Sequence, residues 1–166
     1  MKVLLSICLV LCLALSVNAV RLRTHNKLPS LSNMLPPDFG DTLREAGLSS
    51  LVVIGLDGIV WLESGLKLKP SEATAIINLF KNPKKVFASG VTVGGVKYKG
   101  SKGDKSSIIG KKGATGVAIV KANTFIILST YDKKMNTDDE AAKSVKMTAD
   151  LFSATGFETL TKYFKR

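Results

Sequence analysis

Between residues 51 and 131 short apolar runs alternate with turns built largely on glycine, and this rhythm limits what the chain can fold into. Leu51-Val52-Val53-Ile54 reads as a buried strand. Gly55-Leu56-Asp57-Gly58 turns it, and Ile59-Val60-Trp61-Leu62 runs back. Two apolar runs across an Asp-Gly turn make a hairpin, because such turns need positive φ angles that glycine adopts freely. Val86 to Val93, a Gly94-Gly95 break and Val96-Lys97-Tyr98-Lys99 follow as strands. Residues 100–107 read as a lysine-rich loop, and Ile108-Ile109 leads into a turn at 110–113. Thr115 to Lys121 and Phe125 to Tyr131 make a second hairpin across Ala122-Asn123-Thr124.

Helical patterns flank and interrupt these strands. Asp41 to Ala46 forms a short helix closed by Gly47. Pro70 opens a second, at the position where a missing N–H costs nothing, and Glu72 suits its positive end. Ala73, Ile76, Ile77 and Phe80 fall on one face, and Asn82-Pro83 stops it. The last helix starts with a capping box, Thr137 and Glu140, with Asp138 and Asp139 in the same turn. Ala142, Val145, Ala149 and Phe152 line its apolar face, and Gly156 is a stop. The fold class is α+β, one antiparallel sheet packed by helices.

The N-terminus carries a different signal. Lys2 precedes an apolar run from Val3 to Ser16, followed by Val17-Asn18-Ala19 with modest or small residues where a signal peptidase reads. This is the charged, apolar and cleavage-site order of a secretory signal. A membrane anchor needs about 20 apolar residues, and this run is shorter. Residues 1–19 therefore read as a signal peptide cleaved after Ala19, and the protein as secreted. Residues 20–37, polar and broken by Pro29, Pro36 and Pro37, read as a flexible arm or propeptide, with Arg21-Leu22-Arg23 a trimming candidate. Residues 38–166 form one domain. Both cysteines, Cys8 and Cys12, lie in the signal, so the domain must hold together by packing without disulfides.

Chemistry-bearing clusters are sparse. The one histidine is His25, in the arm, so the domain offers no His–carboxylate metal set and no Ser–His or Cys–His pair. Gly100-Ser101-Lys102-Gly103-Asp104-Lys105-Ser106 has a faint likeness to a phosphate loop. Asp104 stands where that motif needs glycine, and its charge would repel phosphate. An enzyme is not expected, nor any cofactor or metal. Charge is the stronger feature. The formal net charge is +11, and ten lysines (81, 84, 85, 97, 99, 102, 105, 111, 112 and 121) share residues 81–121 with a single acid, Asp104. Such a surface is either a solvated face or a docking site for something acidic. Arginine is absent from the stretch and only Phe87 and Tyr98 are aromatic there, which argues against nucleic acid.

Five segments in order resemble the profilin family. Residues 54–62, IGLDGIVWL, are similar to its hairpin, and 68–80, LKPSEATAIINLF, to the helix after it. Residues 87–98, FASGVTVGGVKY, resemble its strand pair, and 109–121 and Tyr131-Asp132 with Met135 complete the order. The resemblance covers roughly residues 50–152 and leans towards plant and protist forms. It implies a single profilin-like domain, monomeric, with the N- and C-terminal helices on one face of the sheet and a shorter helix elsewhere.

The resemblance also implies partners: actin monomers, proline-rich ligands and phosphoinositides. On the actin-facing strands Lys97 matches a family lysine, Lys102 falls where a basic residue is expected, and Lys111 matches the basic turn. Phe87 and Ala88 occupy the adjoining contact strand, and Ile109 replaces an expected arginine. The proline-rich ligand site needs aromatic rings. Pro36 and Phe39 stand where the family carries Trp and Tyr, and Leu151 replaces a Tyr beside Phe152. Trp61 matches a supporting tryptophan, but core packing is the better explanation for so large an apolar ring. Proline-rich ligands are therefore expected to bind weakly or not at all. Two functions follow: an exported actin-monomer binder, or an extracellular module whose lysines (Lys81, Lys84, Lys85, Lys99, Lys105, Lys112) hold acidic matrix, polysaccharide or anionic lipid.

Overall fold

The strand runs lack polar alternation because the sheet they form is covered on both faces. The computed structural model describes Pro37 and residues 39–154. Its elements are α1 (Phe39–Glu45), β1 (Leu51–Gly55), β2 (Val60–Ser64), α2 (Pro70–Lys81), α3 (Lys85–Ser89), β3 (Val91–Val93), β4 (Val96–Gly103), β5 (Ser107–Lys112), β6 (Thr115–Lys121), β7 (Phe125–Asp132) and α4 (Asp138–Ala154). The strands lie in the order β2-β1-β7-β6-β5-β4-β3, every neighbour antiparallel. Strand β1 pairs with the distant β7, Val52 opposite Leu128, so the N-terminal hairpin and the last strand meet inside the sheet.

Successive residues of each central strand divide between two cores. Leu51, Val53, Ala118, Phe125, Ile127 and Tyr131 meet Leu43 of α1 and Ala141, Val145, Ala149 and Phe152 of α4. Val52, Ile54, Val117, Ile119, Ile126 and Leu128 meet Ala73, Ile76 and Phe80 of α2 and Val86 of α3. The α+β class and the placement of the terminal helices on one face agree with expectation. Helix α4 turns Ala141 rather than Ala142 into the core. Adjacent alanines gave the apolar period nothing by which to choose between them.

Three segments differ from their sequence reading. Val86–Ser89 is helical, part of α3, not the start of a strand; residues 100–103 extend β4 rather than forming a loop; and Gly110–Lys112 continue β5 rather than turning. The first two differences have one cause. A Cβ at Gly100 would stand 2.3 Å from the Val86 carbonyl oxygen, and one at Gly103 2.6 Å from that of Pro83. The two glycines let α3 and the chain before it lie directly on β4. There they read as loop residues while serving as a close helix–strand contact.

Polar side chains fix the connections. Glu72, 7% exposed, accepts the Lys69 N–H at 2.9 Å with one oxygen and the Gly95 N–H at 2.7 Å with the other. It thereby joins the start of α2 to the β3–β4 turn. Asn136 donates to the carbonyls of Ala46 and Gly47 at 3.0 and 3.1 Å, tying the end of α1 to the approach to α4. The capping box forms as expected: Glu140 N–H donates to Thr137 Oγ1 at 3.3 Å, and Thr137 N–H to Glu140 Oε2 at 2.8 Å. Asp104 closes the β4–β5 turn. Its Oδ1 accepts the backbone N–H of Ser106 at 2.8 Å and of Ser107 at 2.6 Å, and both serine hydroxyls donate to the carboxylate at 2.8 Å. Partial burial opposes ionisation of Asp104, but the Ser106 and Ser107 donors outweigh it and hold its pKa down at about 2.

Replacing Glu72 by Gln is expected to destabilise the fold by about 1–3 kcal/mol, since an amide offers one acceptor oxygen for two backbone donors. Urea unfolding reads the loss, and amide exchange at Gly95 reads its location. Asp104, with a folded pKa below its unfolded value of about 3.9, stabilises the protein above pH ~4 and loses that contribution as pH falls towards 2. Asp104→Asn is expected to flatten this part of the stability–pH curve, while an unchanged acid limb would show that the carboxylate contributes nothing.

Candidate functional site

The lysines gather at one edge of the sheet because of ladder register. On β4, Lys97 and Lys99 alternate with buried Tyr98. They therefore stand on the face that carries α4, Lys97 opposite Thr92 of β3 and Lys99 opposite Lys111 of β5. A regular strand would then send Lys102 to the other face. The register instead shifts between Gly100 and Lys102, leaving Ser101 as the extra residue and placing Lys102 opposite Ile109. The bulge re-aims Lys102 to the same side as Lys97 and Lys99. Ile109 itself is buried, 2% exposed, so the position where an arginine was expected belongs to the core.

Helix α3 brings an apolar component to this edge. Phe87 is 52% exposed, and Ala88 beside it is exposed as well. The helix ends at Gly90, whose φ of 69° favours glycine. A Cβ there would lie 3.5 Å from Lys97 Cε, so the Lys97 side chain reaches the turn that follows Phe87 and Ala88. The structure thus brings Phe87, Ala88, Lys97 and Lys102 to the β3–β4 edge, with Lys111 on the adjoining strand.

Lys111 differs from the others in being held. Its ammonium pairs with Asp138 at the start of α4, and the other Asp138 oxygen accepts the Tyr131 hydroxyl at 2.6 Å. Burial disfavours the Asp138 carboxylate, but Lys111 and Tyr131 overcome this and lower its pKa. Burial, then the Asp138 hydrogen bond and charge, push the Tyr131 phenol strongly up. The ring needs room: a Cβ at Gly116 would meet it at 2.3 Å. Sequence reasoning saw Asp138 only as an N-terminal helix acid and missed Tyr131, Gly116 and the Ser101 bulge. Nothing in local spacing links Lys111 to an acid so far along the chain.

The remaining lysines distribute around this edge. Lys81 ends α2, Lys84 and Lys85 start α3, and Lys105 sits in the β4–β5 turn. Lys112 points to the side opposite Lys111, paired in register with Thr115. The loop-like segment from Gly100 has no phosphate cradle, for Asp104 already occupies the serine N–H groups that could hold an anion.

Of the residues considered for proline-rich ligands, the side chains of Phe39 and Leu151 lie outside the described residues, as do residues 1–36 and Gly156. Trp61 is 6% and Phe152 1% exposed. Both pack on Phe125, ring centroids 6.3 and 6.4 Å apart. A Cβ at Gly55 would stand 2.6 Å from the Trp61 ring. These rings form part of the core between sheet and helices. Among the described residues no helix is long and apolar enough to cross a membrane, and no group of His, Cys, Asp and Glu could hold a metal ion.

Comparison with known proteins accounts for this architecture. A family model described as Profilin matches residues 40–157. Profilin-P of Physarum polycephalum is 46% identical over 110 residues, 66% of this chain and 87% of that protein. Profilin-1 of Dictyostelium discoideum is 44% identical over 119 residues, 70% of this chain and 94% of that one. The crystal structure of Acanthamoeba castellanii profilin II superposes with a TM-score of 0.64 at 30% identity, over 72% of this chain and 97% of its own. Matching fold, strand order and relatives of nearly full length place the chain, a non-enzymatic protein, in the profilin family.

Proposed function

We propose that this chain is an exported, actin-monomer-binding profilin whose site for proline-rich ligands is degraded. The observation that carries the actin reading is the β3–β4 edge. Lys97, Lys99 and Lys102 share one side through the Ser101 bulge, and at the same edge, where Lys97 reaches the end of α3, Phe87 and Ala88 are exposed. An apolar centre with a cationic rim suits a partner whose own surface is acidic, since the rim speeds and orients docking while the centre supplies adhesion. Burial of Trp61 and Phe152, with Pro36 in place of an aromatic residue, supports loss of the proline-rich ligand site. The charged, apolar and cleavage-site order of residues 1–19 supports export.

Sedimentation or pull-down with monomeric actin at physiological salt is expected to give micromolar binding. Lys97→Glu is expected to weaken it by about tenfold or more, the effect of reversing a charge inside an interface. A folded wild-type protein that ignores actin would overturn the reading, as would a Lys97→Glu variant of unchanged affinity. When the full chain is expressed in a secreting eukaryotic host, the protein in the medium is expected to begin at Val20. A product retained in the cytosol with Met1 intact would refute export.

A further inference from the structure

A second group of lysines gathers at the end of the sheet, at the corner where the α2–α3 connection meets the β4–β5 turn and the end of β6. The contacts that assemble it are specific. The Pro83 carbonyl lies against Gly103, where a Cβ would approach it to 2.6 Å. This sets Lys84 and Lys85 beside the end of β4. Lys105 stands in the turn itself, and the Lys121 N–H donates to the Ser106 carbonyl at 2.9 Å, bringing the end of β6 to the same turn. Lys81 precedes the corner on α2. All five lysines are exposed. With neighbouring strands about 4.8 Å apart, the part of the row from β4 to β6 spans roughly 10 Å.

The acid in this corner offsets only one of its five positive charges. Asp104 is the only acid between Lys81 and Lys121, and both its oxygens are taken by Ser106 and Ser107. The ion pairs among the described residues are Arg44–Asp41, Lys111–Asp138 and Lys146–Asp150, and none includes a lysine of the corner. Five ammonium groups thus face solvent, and against the single Asp104 charge the corner stays strongly cationic.

We propose that this corner binds an acidic polysaccharide, a sugar chain bearing sulfate or carboxylate groups, at a site separate from the actin-facing edge. Lysine ammoniums on flexible stems can follow anionic groups spaced along a polymer without the fixed fork that arginine offers. Exposed Asn82 and Ser106 add polar groups suited to sugar hydroxyls. The corner carries no arginine, and exposed large apolar side chains are few among the described residues: Leu56, Ile59, Phe87 and Met135. Base stacking asks for several rings and a bilayer surface for a broader apolar footprint, so nucleic acid and membrane fit the corner less well. The export reading of residues 1–19 supplies a compartment, but the binding chemistry does not depend on it.

Heparin-agarose, a sulfated polysaccharide, is the probe, with the secreted protein loaded at physiological salt. Retention is expected, with an affinity that falls steeply as salt rises. A variant with Lys84→Glu, Lys105→Glu and Lys121→Glu is expected to lose at least tenfold in affinity. A second variant, with Lys134→Glu, Lys143→Glu and Lys146→Glu, makes the same change in net charge elsewhere and is expected to keep most of the binding. Circular dichroism checks the fold of each. Equal losses in the two variants would overturn the proposal by showing that only net charge matters. So would a wild type that is not retained, or one that binds single-stranded DNA or anionic vesicles more tightly than heparin at equal salt. Actin affinity measured on the same corner variant separates the two sites: heparin binding lost with actin binding kept supports the assignment, and loss of both in a folded protein contradicts it. A wild type that binds heparin but not actin would refute the actin reading alone.

Discussion

Everything in this domain hangs on the pairing of β1 with β7. Val52 faces Leu128 and Gly55 faces Phe125 across strands that lie far apart in sequence. That pairing makes one continuous sheet out of an N-terminal hairpin and a C-terminal meander. It lays the helix-side floor on which α1 and α4 pack together, and the opposite floor for α2 and α3. With no cysteine in the domain, no covalent link can substitute for it. Each buried Leu, Ile, Val or Phe along these strands contributes about 1.5–3 kcal/mol, offset by the conformational entropy of ordering the chain. Loop closure over so long a span makes this contact slow to form and central once formed.

Where the two floors narrow, glycine does the fitting. Gly100 and Gly103 admit α3 against β4, Gly116 admits the Tyr131 ring, and Gly55 admits the Trp61 ring. The candidate edge follows from these contacts. Because α3 lies flat on one side of β4, its outer residues Phe87 and Ala88 project at the sheet's rim. Because Ser101 is an extra residue, the lysines of the same strand come together on the other side. Surface chemistry and backbone irregularity are therefore one design: the bulge that interrupts the ladder also groups the charge.

Much of this was legible in the sequence, and the limits have physical reasons. The first and last hairpins, α2 and the capping box of α4 were readable because turn and cap chemistry is local. Asp57-Gly58, Pro70 and the Thr137–Glu140 spacing each state their own geometry. Residues 86–89 and 100–103 were misread because their structure is decided by each other. Valine before glycine reads as strand, and Gly-Ser-Lys-Gly reads as loop, until the two are packed together. The candidate lysines were visible as composition, but which of them share a face was not. A one-residue shift reverses every side chain after it, and nothing in Gly100-Ser101-Lys102 announces the shift. Glu72 illustrates the same limit. Its place in the first turn of α2 was plain, but its second bond reaches Gly95 through the tertiary fold alone.

The link from Lys111 through Asp138 to Tyr131 bears on how the surface discriminates. A carboxylate arriving from a partner can take Lys111 only by displacing Asp138, an exchange of one ion pair for another that leaves Asp138 and the Tyr131 hydroxyl to find new company. Such an exchange yields little net attraction. Among the described residues Lys97, Lys99 and Lys102 take part in no ion pair. On the proposed docking reading, selection among partners then falls to those three, and Lys111 serves as a strut between strand and helix: a cation counted in the surface charge yet largely withheld from the encounter.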